Sequence, residues 1–169
     1  MKKAILIILA LGAMASANGF YGGVSEINHQ RFFNDSRDWF STGHDNSLNY
    51  GAGVQLGYNA GNIGEMEVAA ELRASKVYVD TFDGTKDMDT YSAFVKLGTD
   101  ISGFTPYLLA GYTVIDSELD HITVRDFSWG LGISKAISDK VDIFVDYTVL
   151  PKIRVVNNEV VTVGLNYKF

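Results

Sequence analysis

The 169-residue chain contains no cysteine, so disulfides, thiol nucleophiles and cysteine-ligated zinc contribute neither stability nor chemistry. It contains only two prolines, Pro106 and Pro151. Proline removes a ladder donor and breaks helix interiors, so its scarcity admits long uninterrupted strands. Beyond residue 17 no hydrophobic run approaches the ~20 residues a membrane-crossing helix needs. A basic excess is also lacking: 14 Lys and Arg face 20 Asp and Glu, a net charge of −6. Nucleic acid is not an expected partner, because binding it takes a basic face. No linker or low-complexity segment divides the chain, and its length suits one domain.

The N-terminus reads as an export address. Lys2 and Lys3 precede an apolar run over residues 4–13, and Ala15-Ser16-Ala17 forms a small-residue cleavage site. The run is too short to span ~30 Å of hydrocarbon as a helix. Residues 1–17 are therefore expected to be a cleaved signal peptide, and residues 18–169 the folded domain. Removing the two signal lysines leaves 12 basic against 20 acidic residues, a charge of −8.

What is present is alternation with period two, the mark of strands with two different faces. Tyr50, Ala52, Val54, Leu56 and Tyr58 share one face, and Gly51, Gly53, Gln55 and Gly57 the other. Met66, Val68, Ala70 and Leu72 alternate with Glu67, Ala69, Glu71 and Arg73. The same holds for Tyr91 to Leu97 with Ser92, Phe94 and Lys96 between them, and for Phe127, Trp129, Leu131 and Ile133. Val141, Ile143, Val145 and Tyr147 alternate with Asp142, Phe144 and Asp146. Val161, Val163, Leu165 and Tyr167 alternate with Thr162, Gly164, Asn166 and Lys168. Two more segments are less clear. Residues 20–27 place Glu26 on the parity of Phe20 and Val24, and residues 107–115 are apolar on both parities.

These segments predict an all-β fold, an eight-stranded antiparallel up-and-down transmembrane β-barrel. The connections alternate in length, with residues 28–47, 80–89, 116–122 and 150–158 longer than 60–64, 100–104 and 137–140. Long outer loops, short periplasmic turns and aromatic residues toward both strand ends suit a barrel in lipid. A soluble eight-stranded barrel would turn its apolar face inward. Here the other face is rich in glycine, which suits a tight interior better than a solvated exterior.

Residues 162–169, Thr-Val-Gly-Leu-Asn-Tyr-Lys-Phe, resemble the outer-membrane β-signal, with Thr162, Gly164, Tyr167 and Phe169 at its polar, glycine and two aromatic positions. That resemblance implies recognition by the barrel assembly machinery, with periplasmic chaperones during transit. Residues 128–133 (SWGLGI), 137–140 (ISDK), Val145-Asp146-Tyr147 and Thr105-Pro106-Tyr107 are similar to the OmpA-like and opacity-type eight-stranded outer-membrane barrels. The family often carries Glu-Tyr where Ser134-Lys135 stand, and an arginine where Phe144 stands. An ion-pair gate at those positions does not transfer to this chain.

By parity Glu67, Glu71, Arg73, Lys96, Asp142, Asp146 and Lys168 point inward. They read as an ion pathway or as a lumenal polar network. The narrow interior of eight strands and the need to pair buried charges favour the network. Arg31, Phe32, Phe33, Trp39 and Phe40 fall in the first predicted loop, where they either contact a ligand or lipopolysaccharide, or continue strands one and two above the membrane and pack over the barrel mouth. His29, His44 and His121 lie in predicted loops with no nucleophile or metal-ligand frame, and Asp83, Asp87 and Asp89 lack EF-hand spacing. No cofactor is expected. The expected function is that of a non-enzymatic outer-membrane protein, envelope-structural and adhesive through its outer loops. A small-solute channel is the alternative, and a lipid-modifying enzyme follows it.

Overall fold

The computed structural model describes residues 19–33, 49–81, 84–117, 122–153 and 156–169. They form eight strands: β1 (Phe20–Phe33), β2 (Asn49–Ile63), β3 (Met66–Thr81), β4 (Gly84–Gly98), β5 (Phe104–Ser117), β6 (Ile122–Ala136), β7 (Val141–Ile153) and β8 (Val156–Lys168). Each strand pairs antiparallel with the next, and β1 pairs with β8 to close the barrel. Closure pairs the backbone groups of every strand and removes both sheet edges, which a wall set in hydrocarbon requires. Among the described residues no helix is long and apolar enough to cross a membrane.

The register sets the shape. Following partners from Phe20 leads through Tyr58, Ala70, Val95, Ala110, Trp129, Val149 and Glu159, and returns to β1 at Gln30. This offset along β1 tilts the strands by roughly 40° to the barrel axis. It also decides which residues of opposite strands meet at one depth.

The period-two pattern sorts side chains as the alternation implies. Val54, Leu72, Tyr91, Val95, Trp129, Leu131 and Val163 are exposed on the outside, whereas Gln55, Glu71, Ser92, Phe94, Ser128, Phe144 and Thr162 are buried inside. The two ambiguous strands are now placed. On β1 the odd residues from Tyr21 to Ile27 face inward, so Ile27 is buried while Val24 and Glu26 lie exposed outside. On β5 Tyr107, Leu109, Thr113 and Ile115 are lumenal, and Leu108 and Tyr112 face out.

The outer connections are shorter than the alternation suggests. β3 and β4 stay paired up to Thr81 and Gly84, and β1 continues to Phe33. Arg31, Phe32 and Phe33, assigned to the first loop, are strand residues opposite Asn158, Asn157 and Val156, as the reading in which this segment continues strand one has it. A strand outlasts its apolar alternation wherever its neighbour still offers ladder partners. Trp39 and Phe40, together with residues 1–17, lie outside the described residues.

Val145 sits outside between Ile133 and Val163, in the apolar belt. Val145→Arg is expected to destabilise the barrel by about 2–4 kcal/mol, the cost of an arginine near the bilayer midplane. Urea titration of protein folded into vesicles measures it; an unchanged midpoint is incompatible with β7 presenting this face to lipid.

Candidate functional site in the barrel lumen

The inward side chains form layers along the axis. At mid-height Glu71 and Arg73, two apart on β3 and so on one face, meet Asp146 of β7 from across the lumen. Arg73 donates from Nε to Glu71 Oε1 at 2.6 Å, and from Nη1 and Nη2 to the two oxygens of Asp146 at 3.1 and 2.8 Å. Its guanidinium also lies 5.4 Å from the ring centre of Phe94 and 6.0 Å from that of Phe144. The fork of donors is what lets one cation bridge two carboxylates with defined geometry.

Two tyrosines complete the carboxylate shells by the same device. Tyr21, Gly57 and Glu71 lie in one register row, as do Tyr107, Gly132 and Asp146. Each tyrosine reaches across a strand at its glycine. The Tyr21 hydroxyl donates to Glu71 Oε2 at 2.6 Å, and the Tyr107 hydroxyl to Asp146 Oδ2 at 3.1 Å. A Cβ on Gly57 would run into the Tyr21 ring, and one on Gly132 into the Tyr107 ring, so these positions need glycine for space.

Lys96 lies beneath this cluster, with Nζ 3.8 Å from the Tyr107 ring centre and 5.9 Å from that of Tyr21. With it the layer holds two cations, Arg73 and Lys96, against two carboxylates, Glu71 and Asp146. Gln55 donates to Asn166 Oδ1 at 2.5 Å over Gly23 of β1, the register partner of both.

Below, toward the short turns, a vestibule of about 340 Å³ is lined by Glu67, Lys96, Ser134, Asp142, Asn166 and Lys168, among others. Lys168 pairs with Asp142 at 2.8 Å. Above the ionic layer a second cavity of about 40 Å³ is lined in part by Ser75, Thr90, Ser92 and Thr148. Toward the outer end lies a buried apolar cluster of Ile27, Val77, Met88, Ile115, Leu150 and Val160, with Ile122 and Val124 packed on it.

Of the inward residues expected from the sequence, the fold gathers Glu71, Arg73 and Asp146 directly and sets Lys96 beside them. Asp142 and Lys168 form a separate pair, and Glu67 lines the vestibule wall. Sequence reasoning missed Tyr21 and Tyr107 because they lie on the two strands whose facing was ambiguous, and the aliphatic cluster because Met88 and Leu150 fell in segments read as loops while Ile27 and Ile115 lie on those same two strands. At the chain end Thr162 and Gly164 are buried inward and Tyr167 faces out. The N–H of Phe169 donates to Phe20 O at 3.1 Å, and its ring meets Tyr167 edge-on at 5.5 Å. His29 is opposite Val160 on β8, while His44 and His121 lie outside the described residues. Among the described residues no group of three or more His, Asp or Glu is arranged to hold a metal.

Solved structures similar to this one include outer-membrane and designed barrels. Ail, the attachment invasion locus protein of Yersinia pestis, is similar with a TM-score of 0.58 at 14% identity, covering 90% of this chain and 99% of that one. Neisserial surface protein A is similar with a TM-score of 0.50 at 19% identity, covering 90% and 98%. A de novo designed transmembrane β-barrel gives a TM-score of 0.53 at 11% identity, covering 91% and 98%. At these identities the likeness concerns the fold. No curated protein sequence matches the chain. The family model for the outer membrane protein beta-barrel domain matches residues 4–169, so the chain belongs to that family of outer-membrane barrels.

Proposed function

We propose that this protein is a closed, non-enzymatic barrel of the bacterial outer membrane whose lumen serves the stability of the wall and whose outer ends make its contacts. The observation that carries this reading is the double closure of the lumen. The Arg73 network spans the interior from β3 to β7, and the aliphatic cluster above it excludes water from the outer end. A conducting path must cross both layers. Glu71 and Asp146 are both ion-paired to Arg73, which ill suits either to act as a general base. In planar bilayers the protein is expected to give no stable conductance; steady ohmic steps refute the closed reading and support a small-solute channel.

The partners that fit are lipid and lipopolysaccharide around the wall, the assembly machinery and periplasmic chaperones during biogenesis, and an extracellular ligand at the outer rim. Ail, a protein of similar fold, is named for attachment and forms a complex with the heparin analogue sucrose octasulfate. For the present chain, the aromatic and arginine content of its first outer segment supports a contact role. Replacing Phe32, Phe33, Trp39 and Phe40 by serine is expected to reduce adhesion to cells or matrix while leaving unfolding in detergent unchanged. Lost stability with intact adhesion assigns these residues to packing over the mouth instead.

A further inference from the structure

We propose that the three periplasmic turns are lipid anchors: Ile63, Ile101 and Ile137 insert among the acyl chains of the inner leaflet, so that the rim lies in the bilayer rather than projecting into the periplasm.

Each turn carries an exposed isoleucine aimed away from the lumen. Ile63 is 68% exposed, Ile101 58% and Ile137 62%, as open as the belt residues Val24 and Leu108, both at 61%. Their orientation is built in. On β2 the even residues face out as far as Tyr58, which would turn Ile63 into the lumen. A bulge between Asn59 and Gly61 inverts the parity. Gly61 has a φ of 108°, and its N–H donates to the Asn59 side chain at 2.9 Å. After the bulge Asn62 stands opposite the inward Glu67, and Ile63 opposite the outward Met66. A bulge that re-aims one side chain is a specific feature of a strand end.

The next turn is equally constrained. Ile101 and Phe104 exchange both backbone hydrogen bonds, at 2.7 and 3.2 Å. Between them Ser102 and Gly103 both have positive φ, 57° and 84°, as in a type I′ turn. The non-glycine residue in that region is tolerated where it keeps Ile101 and Phe104 side by side on the outer face. Ile137 continues the outward parity of β6.

The height of the apolar wall supplies the occupant. On β6 the outward apolar residues within the strand run from Phe127 to Ile133, and on β4 from Tyr91 to Leu97. Each stretch covers only about 15 Å along the axis at the tilt of the strands. A barrel wall in lipid needs an apolar band about 25 Å tall. Counting to Ile137 and to Ile101 brings both strands to about that height. The turns thus extend the lipid-facing belt, interrupted on β6 only by Lys135, whose ammonium lies 4.6 Å from the Phe104 ring centre and whose long stem lets it snorkel to the rim. Glu65, Asp100 and Asp139, one exposed acid in each turn, mark the water-facing side.

The chain has no cysteine, so single cysteines report without background. Ile63→Cys, Ile101→Cys and Ile137→Cys, spin-labelled and folded into phosphatidylcholine vesicles, are compared with Val145→Cys in the belt and Asp139→Cys in a turn. Collision rates with oxygen and with a water-soluble nickel chelate are read for each. The turn isoleucines should match Val145, with oxygen dominant. Nickel accessibility equal to that of Asp139 overturns the proposal and leaves the tips free for a periplasmic protein. As a second measurement, the triple variant Ile63→Asn/Ile101→Asn/Ile137→Asn should lower the folded-to-unfolded ratio in vesicles by about tenfold or more. The same variant should match the parent in detergent micelles; an equal loss in both media assigns the isoleucines to packing and refutes insertion.

Discussion

Replacing Arg73 by leucine is expected to cost about 3–5 kcal/mol of barrel stability, because it leaves two buried carboxylates without their shared cation. Glu71 and Asp146 are 1% and 2% exposed, and Arg73 contacts both. Lys96 is close enough to offset part of the charge, but its ammonium rests over the Tyr107 ring. Arg73→Lys should recover only a fraction, since a single ammonium cannot offer a fork to Asp146 and a third bond to Glu71. Removing the charges together tests the cause. Glu71→Leu/Arg73→Met/Lys96→Met/Asp146→Leu with Tyr21→Phe and Tyr107→Phe should restore most of the lost stability, as well-packed apolar replacements of buried ion clusters commonly do. The two phenylalanines are required, because tyrosine hydroxyls left without acceptors would each cost about 1–3 kcal/mol. Urea unfolding from vesicles, analysed with a common slope, gives the ranking. If Arg73→Leu is as stable as the parent, the network does not hold the wall together.

The fold was largely readable from parity, and the two strands that resisted show why. Period two assigns faces only when one parity is apolar and the other is not. On β5 both parities are apolar because Leu109 and Ile115 join buried clusters inside the barrel. On β1 the outward Glu26 interrupts the lipid face beside Ala52 and Val163. Reading Glu26 as inward would have turned Tyr21 outward and hidden its bond to Glu71. The candidate site was legible as a set of inward charges but not as a network. Glu71 and Asp146 are 75 positions apart in the sequence. They share a depth only because the register climbs as it circles the barrel. Likewise Gly57 and Gly132 look like ordinary small residues until the register sets each between a tyrosine and a carboxylate.

Deleting Phe169 is expected to remove most of the protein from the outer membrane in cells while leaving the finished barrel close to its normal stability. Within the fold Phe169 makes one backbone hydrogen bond to Phe20 and one edge-on contact with Tyr167. The aromatic pair is worth about 0.5–1.5 kcal/mol and the hydrogen bond a similar amount. Such a loss barely shifts the folded fraction of a closed barrel refolded in detergent. Assembly depends on a different property: residues 162–169 resemble the signal through which the last strand is recognised, and Phe169 is its terminal aromatic. The variant should therefore accumulate as protease-sensitive periplasmic chain, yet refold in detergent with the unheated gel mobility of the parent. Phe104→Ala separates recognition from rim packing, because Phe104 is also a rim aromatic, 43% accessible, and lies outside the signal. It should reach the outer membrane at normal levels. Equal depletion of both variants points to rim stability as the cause, whereas normal levels of the Phe169 deletion show that the terminal match plays no part in assembly.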